Sequence, residues 1–210
     1  MRLTRKIVLA TLNRHKFDEF TAILSAYPEY ELLPAAPLLR NADKLKHVEN
    51  HDNYLANALS KARHVNWATH YPSLADDSGL EVEALGGKPG VRSQRFAAPV
   101  EGLTQDQANT AYLLSQLKKA SSRAARFVCT LAFIVEGIEL HSTGILEGTL
   151  ISEPRGSQGF GYDPIFVPKD SNRTLAEMTD QEKNAISHRA QALHRLVEQI
   201  KNHGIVLAKP

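Results

Sequence analysis

The fold class is decided by one stretch, FVCTLAFIVEGIELHST at residues 127–143. Its first nine residues, Phe127 to Val135, are apolar on both faces of an extended chain, which is typical of a central strand. Glu136 and Gly137 form a two-residue turn into a second strand from Ile138 to Thr143. The stretch therefore predicts an antiparallel hairpin inside a sheet.

The chain before this hairpin begins with a different arrangement. Lys6 to Thr11 (KIVLAT) is a short apolar run that predicts a buried strand, and Phe17, Phe20 and Leu24 follow at the spacing of one helix face. A strand, a short loop and a helix in succession favour parallel packing of strands. Since the later hairpin is antiparallel, we predict an α/β fold with one mixed sheet flanked by helices.

Three more helices are predicted from apolar spacing. One begins after Asp52 as its N-cap, one follows a capping box formed by Thr104 and Gln107, and one covers the C-terminal region. Their predicted core-facing residues are Leu55, Ala58, Leu59, Ala62 and Val65, then Ala108, Ala111, Leu114 and Leu117, then Ile186, Ala190, Leu193, Val197 and Ile200.

The remaining segments are one strand and several loops. From Ser73 to Leu85, the alternation of Leu80, Val82 and Ala84 with glutamates predicts a half-buried strand, and the turn GGKPG follows it. The proline-rich stretch at 28–37 and the glycine-rich stretch at 154–164 are predicted to be irregular.

The composition excludes several classes of protein. The 210 residues carry 25 basic and 23 acidic side chains, and the net charge of +2 disfavours broad binding to nucleic acid. The longest apolar run is about half of the roughly 20 residues that span a bilayer, and no apolar signal segment begins the chain. Cys129 is the only cysteine, which excludes an intrachain disulfide and predicts a small buried side chain. We expect one soluble, cytoplasmic domain without nucleic-acid or membrane partners.

Three stretches have the residue types for chemistry. In the first, ATLNRHK at 10–16, a strand leads through a polar loop into a helix, whose first backbone N–H groups attract anions. Asn13 and Lys16 add donors, although the glycine pattern of a Walker A loop is absent. The alternative is that Asn13 only caps the helix and that Lys16 is solvated.

The second stretch, ADDSG at 75–79, places two adjacent carboxylates in a strand. On an extended backbone Asp76 and Asp77 point in opposite directions, so the two acids can have different roles. One acid could hold Mg²⁺, which prefers oxygen ligands and often bridges carboxylates to phosphates, while the other activates water. The alternative is an ordinary acidic turn.

The third stretch is the glycine-rich loop PRGSQGFGYDP together with the later segment EKNAISHR. Phe160 and Tyr162 offer aromatic faces on which a base could stack. A helix that begins at His188 would gather Lys183, His188 and Arg189 at its N-terminus, where cations favour an anionic or acceptor-rich ligand. The alternative is a solvated basic helix face.

Taken together, five motifs resemble those of the inosine/xanthosine triphosphate pyrophosphatase family. They are TLNRHK at 11–16, ADDSGLEV at 75–82, ALGGKPGV at 84–91, GFGYDPIF at 159–166 and EKNAISHR at 182–189. The resemblance covers nearly the whole chain. It implies an elongated mixed α/β fold of two lobes with a nucleotide in the groove between them, acting as a homodimer. It also implies Mg²⁺-dependent hydrolysis of ITP, dITP and XTP to the monophosphate and pyrophosphate, which removes deaminated purines from the nucleotide pool.

The resemblance also implies roles for single residues. Asp77 matches the catalytic acid and a metal ligand of the family, Glu49 falls at an acidic metal ligand, and Asp76 is a further metal candidate. Leu12 and His15 stand where the family has glycines. The implied substrate-binding residues are Thr11, Leu12, Asn13, Arg14, His15 and Lys16 for the triphosphate, Ser78 beside the acids, and Phe160, Gly161, Tyr162, Asp163, Lys183, His188 and Arg189 for the nucleoside.

On this interpretation Mg²⁺ bridges the phosphates to Asp77 with Asp76 or Glu49, and Asp77 orients or deprotonates the water that attacks the α-phosphorus. A donor from His188, Arg189 or a backbone N–H would select the 6-oxo group of deaminated purines over the amino group of adenine. Two alternatives remain, a related pyrophosphatase for pyrimidine or modified nucleotides and a nucleotide sensor without turnover.

Overall fold

The computed structural model describes residues 5–205 and contains a six-stranded sheet. The strands are β1 Arg5–Leu9, β2 Tyr30–Pro34, β3 Ser73–Val82, β4 Ala124–Val135, β5 Ile138–Leu150 and β6 Phe166–Pro168. Their order in the sheet is β2-β1-β3-β4-β5-β6. β1 pairs in parallel with β2 and β3, whereas β5 pairs antiparallel with β6. The predicted mixed sheet is therefore confirmed, as is the two-residue turn at Glu136 and Gly137, where both residues have positive φ.

The helices lie between and after these strands. They are α1 Arg14–Leu24, α2 Lys44–His47, α3 Tyr54–Thr69, α4 Gln105–Gln116, α5 Asp180–Ile186 and α6 His188–Asn202. Short 3-10 turns occur at Ala36–Leu38, Glu83–Leu85, Gly90–Arg95, Asp163–Ile165 and Leu175–Glu177. Within residues 5–205, every helix is too short or too polar to cross a bilayer.

The chain divides into two compact units. The first contains the described residues up to Asp77, Cys129–Gly144 and those from Arg189 onward, and the second contains Ser78–Val128 and Ile145–His188. Phe20 and Phe133 are fully buried in the first unit, where Cys129 is buried as predicted. Phe166 is fully buried in the core of the second unit. Each unit therefore has an apolar core of its own.

The register of β1 against β3 determines which polar residues meet in the first unit. Val8 pairs with Ser73 and Leu9 with Leu74, and the backbone N–H of Ala10 donates to Leu74 at 2.7 Å. Because parallel strands place their carboxyl ends at the same edge, the loop after β1 runs beside the two adjacent acids of β3.

The proline-rich stretch at 28–37 is not wholly irregular, because it contains β2. Tyr30 and Leu32 are buried, and Pro34 is the last strand residue, paired with Leu9. β2 lies at the edge of the sheet, where a proline is tolerated because one side of the strand needs no ladder bond. The prediction of a loop was wrong. It gave more weight to the prolines than to the short alternation of apolar residues that indicates a strand.

Two boundaries of predicted elements differ from the structure. β3 ends at Val82 and is buried on both faces, so Ala84 lies in the following 3-10 turn rather than in a half-buried strand. The strand lies between β1 and β4 in the sheet order, and all of its residues except the half-buried Glu81 are buried. α3 is capped by Asn53 rather than Asp52, since the Asn53 side chain accepts a bond from Ala56 N at 2.8 Å.

Two predicted helix faces also need correction. In α4 the capping box is confirmed, but Leu113 is buried and Ala111 is exposed. The C-terminal stripe is interrupted because Ser187 is extended, with ψ at 152°. Ile186 therefore belongs to α5 and is exposed, whereas the predicted start of a helix at His188 is confirmed.

Gly79 in β3 allows the turn at Gly90–Arg95 to approach the strand, and we predict that Gly79→Ala destabilises the fold. An added Cβ would lie 2.1 Å from Gly90 O and 2.8 Å from Ser93 Oγ. We expect a loss of about 2 kcal/mol or more in the free energy of unfolding, measured with urea. Gly86→Ala is the matched control, since its Cβ meets nothing within 4 Å and only the positive φ of 60° causes strain. Equal losses in both variants would contradict the prediction.

Candidate active site

The first unit contains a buried cluster of acids, lysines and one amide. Its members are Lys16 from α1, Glu49 from the segment before α3, Asn57 and Lys61 from α3, and Asp76 and Asp77 from β3. All are buried except Glu49, which is half-buried. Charged groups are removed from water only when they are paired, so the contacts within this cluster decide its chemistry.

Asp76 is held by two lysines. Lys16 Nζ donates to Asp76 Oδ2 at 2.7 Å, and Lys61 Nζ donates to the main-chain oxygen of the same residue. Burial opposes ionisation, but the charges of Lys16, Lys61 and Arg189 outweigh it and hold the pKa of Asp76 well below its usual range. Asp76 is therefore a permanent counter-charge.

Asp77 lies in a different environment. Asn57 Nδ2 donates to Asp77 Oδ2 at 2.9 Å, so the side chains of the two acids bond to different helices, as their opposite directions on a strand predicted. Burial raises the pKa of Asp77 to about 6 and Glu49 adds to the rise, although Lys61, Asn57 and Lys16 oppose it. A carboxyl group with this pKa can exchange a proton near neutrality, which suits a general base.

Lys61 was not predicted from the sequence, and neither was Asn57. Lys61 Nζ donates to Glu49 Oε1, and although burial works against its charge, Asp76, Glu49 and Asp77 raise the pKa of Lys61. The two residues are four positions apart on the buried face of α3 that also carries Ala58 and Ala62. A polar pair at helical spacing beside small apolar residues was the available signal.

The loop after β1 partly serves the helix that follows it. Asn13 caps α1, since its Oδ1 accepts a bond from Lys16 N at 3.2 Å, and Thr11 Oγ1 accepts one from Asn13 N at 3.2 Å. The capping alternative for Asn13 is thus confirmed, whereas a solvated Lys16 is wrong because this residue is only 5% exposed. Leu12, Arg14 and His15 are exposed.

The fit of the cluster to Mg²⁺ can be tested on its oxygen atoms. Asp77 offers a carboxylate whose Oδ1 has no hydrogen-bond partner within residues 5–205, and oxygen is the donor that Mg²⁺ prefers. Asp76 and Glu49 each have one oxygen bonded to a lysine. Over the same residues, no three acidic, histidine or cysteine side chains are grouped around one ion position. The arrangement fits an ion held by one or two carboxylates and completed by phosphates and water.

The second unit contains the glycine-rich loop, organised around one acid. Asp163 Oδ2 accepts bonds from Lys183 Nζ at 2.6 Å and from Phe160 N at 3.0 Å. Gly159 has φ at +74°, and an added Cβ would lie 2.1 Å from Asp163 Oδ2, so only glycine fits there. Gly161 N donates to Asp106 Oδ2 at 2.7 Å. Two carboxylates therefore fix the backbone of residues 159–163.

The two aromatic residues of this loop have different surroundings. Phe160 is half-buried, and Lys183 Nζ lies 5.1 Å from its ring centroid. Tyr162 is 4% exposed in the core, where its hydroxyl donates to Ser93 O at 2.9 Å and burial raises its pKa. Stacking of a base on Tyr162 is thus excluded by its packing, because protein already covers the ring.

The remaining predicted residues are buried rather than solvated. His188 stacks on Phe127 with 4.9 Å between ring centroids and 10° between planes. Arg189 belongs to the first unit, where its Nη1 donates to Glu19 Oε2 at 2.9 Å. Ser78, which begins the second unit, is 9% exposed. A solvated basic helix face is therefore the wrong interpretation of this segment.

Comparisons with known proteins show which family the chain resembles. Residues 7–199 match the model of the Ham1 family. The chain is 41% identical to a dITP/XTP pyrophosphatase of Ralstonia nicotianae, over 94% of this chain and 97% of the relative. It is also 41% identical to a dITP/XTP pyrophosphatase of Bacillus subtilis, over 93% of this chain and 97% of that one.

A solved structure shows the same fold. A HAM1 protein from Coxiella burnetii has a TM-score of 0.80 and 38% identity, and the match covers 95% of this chain and 100% of that one. The family model and the full-length relatives together determine the family, and the chain belongs to the Ham1 family.

Proposed function

We propose that this chain hydrolyses deaminated purine nucleoside triphosphates, namely ITP, dITP and XTP, to the monophosphate and pyrophosphate. The relatives named dITP/XTP pyrophosphatase support this class of substrate. The proposed reaction rests on one observation. Asp77 is buried beside the charged Lys61, and burial raises the pKa of Asp77 to about 6. This combination offers a base for water and a donor for a phosphate.

In the proposed mechanism Asp77 either accepts a proton from a water molecule or orients that water molecule, which then attacks the α-phosphorus. Attack at this atom releases pyrophosphate, because the bond to the β-phosphate is the one that breaks. Lys16 and Lys61 each have three N–H donors, and they stabilise negative charge on the triphosphate oxygens while Asp76 keeps the local charge balanced. The buried lysines thereby hold the triphosphate in one register.

We also propose that Mg²⁺ is required. Asp77 would hold the ion, with Asp76 or Glu49 as the second acidic ligand, and the ion would neutralise charge on the phosphates. The oxygen-rich donor set of the cluster supports this assignment.

For the base, the proposal assigns stacking to Phe160, the less buried of the two loop aromatics. Discrimination in favour of the 6-oxo group would come from His188, Arg189 or a backbone N–H of residues 159–163. Such an enzyme removes deaminated purines from the nucleotide pool, and the proposal includes a homodimer in the cytoplasm.

The first test is product identification. With ITP, dITP or XTP and Mg²⁺, we expect monophosphate and pyrophosphate in equal amounts, measured by ion-exchange chromatography, and loss of turnover with EDTA. The panel also includes GTP, ATP and the pyrimidine triphosphates. Diphosphate and orthophosphate as products would contradict the proposed attack, a better pyrimidine substrate would favour the related pyrophosphatase, and no turnover would favour the sensor.

The second test removes the proposed base. Asp77→Asn is expected to lower kcat at least about 100-fold, because it weakens both water activation and metal binding. Glu139→Gln is the control, since this acid pairs with Arg63 on the surface and its side chain is 38% exposed. A folded Asp77→Asn with nearly normal kcat would show that another group is the base.

The same variant has a predictable effect on stability in EDTA. The pKa of Asp77 is raised from 3.8 to about 6 in the folded state, so ionisation favours the unfolded chain as the pH rises between these values. We expect Asp77→Asn to equal the wild type in stability below about pH 4 and to exceed it above pH 6, by roughly 1–3 kcal/mol. Urea unfolding from pH 4 to 8 measures this. An Asp77→Asn protein less stable at pH 8 would contradict the burial argument.

The selectivity test uses Phe160→Ala. Every purine presents a π-face, and stacking contributes about 1–3 kcal/mol, so kcat/KM for ITP and GTP should fall together by roughly 5- to 150-fold. The ratio of kcat/KM for ITP to kcat/KM for ATP should not change. In contrast, His188→Ala or Arg189→Ala should lower that ratio, provided that each variant folds. A ratio unchanged in both would assign discrimination to backbone groups of the loop.

A further inference from the structure

Asn57, in the first turn of α3, makes three side-chain hydrogen bonds in the interior. It is 1% exposed, its Nδ2 donates to Asp77 Oδ2 at 2.9 Å and to His51 O at 3.1 Å, and its Oδ1 accepts from His51 N at 2.9 Å. Both amide protons and one acceptor site are therefore used. Burial of an amide group destabilises the fold unless the group is hydrogen-bonded, and this amide makes three hydrogen bonds.

These bonds allow one orientation of the amide. A rotation by 180° would place Oδ1 against two acceptors, Asp77 Oδ2 and His51 O, and Nδ2 against the donor His51 N. The donor that faces Asp77 is consequently fixed by the backbone of His51. Burial in α3 fixes the other end of the side chain.

His51 connects this arrangement to the rest of the cluster. It lies two positions after Glu49, which receives a bond from Lys61 on the same helix face as Asn57. One amide thus joins the segment that carries Glu49 to the strand that carries Asp77. Loss of this amide would leave the Asp77 carboxylate free to rotate about χ2.

We propose that Asn57 is a positioning residue for Asp77, holding its carboxylate in the orientation that turnover requires. This inference rests on the proposed function. A misplacement of about 1 Å in a reacting group costs on the order of 100-fold in rate, which sets the scale of the effect. Asn57 bonds to His51 and Asp77 and not to the lysines proposed to bind the triphosphate, so substrate binding should change little.

Asn57→Ala tests the proposal, with Ser73→Ala as the matched control. Ser73 Oγ donates to Ala62 O at 2.7 Å, so it also joins β3 to α3 and is fully buried, but it does not contact Asp77. We expect Asn57→Ala to lower kcat roughly 10- to 100-fold with less than about threefold change in KM for ITP. Ser73→Ala should lose stability while keeping kcat. Equal kcat in the two variants would overturn the proposal.

A double-mutant cycle separates positioning from a general structural effect. If Asn57 acts through Asp77, Asn57→Ala in the Asp77→Asn background should lower the residual kcat by less than about threefold. A further loss as large as in the wild-type background would overturn the proposal. If Asn57→Ala does not fold, Asn57→Leu replaces it, because this variant keeps about the same side-chain volume and removes the donor to Asp77 without adding a charge. Wild-type kcat in Asn57→Leu would equally overturn the proposal.

Different results would overturn the proposed function and the role of Asn57. A wild-type protein that releases no pyrophosphate from any triphosphate of the panel overturns the proposed function and this inference with it. An active wild type with an unaffected Asn57→Ala variant overturns only the role of Asn57.

Discussion

The buried pair of Lys16 and Asp76 is the interaction on which the rest of the first unit depends. It joins α1 to β3 at 2.7 Å, and neither residue is stable in the interior without the other. Lys61, from the middle of α3, adds a second positive charge and bonds to Glu49 and to the main chain of Asp76. The cluster then contains three carboxylates and two ammonium groups, and Asp77 has no lysine bonded to its side chain within residues 5–205. Burial raises the pKa of Asp77, and the charges of Lys61 and Lys16 only partly offset this rise.

The same principle organises the loop of the second unit. Asp163 is buried, is bonded to Lys183 and uses the same oxygen to hold the backbone of Phe160. A buried pair of opposite charges adds little to the stability of the fold. Removal of one partner is strongly destabilising, because it leaves an unpaired charge in the interior, so the geometry around the pair is strongly constrained. In both units a buried acid and a buried lysine therefore hold a polypeptide segment in place, and the residues proposed to contact substrate are attached to that segment.

Asp77 lowers the stability of the folded chain. A carboxyl group whose pKa is raised by burial favours the unfolded chain whenever it is ionised, and the proposed role as a base gives a reason for keeping such a group. Asn57 reduces this cost, since its donor favours the ionised form, and it also limits the orientations of the carboxylate. A buried cluster of this kind is typical of a functional site, which agrees with the proposed function.

The sequence by itself determined the mixed sheet, the hairpin at Glu136 and Gly137, the family and most of the residues that gather in the two units, because these depend on local periodicity and on short motifs. It did not determine which aromatic residue faces the core, and it missed Asn57 and Lys61. Only the tertiary structure decided that Asp76 is a counter-charge and Asp77 the acid with a raised pKa. Adjacent and chemically identical residues differ only in what lies opposite them. In this protein the partner of the Asp76 side chain comes from α1, 60 positions earlier in the chain, and that of Asp77 comes from α3, 20 positions earlier.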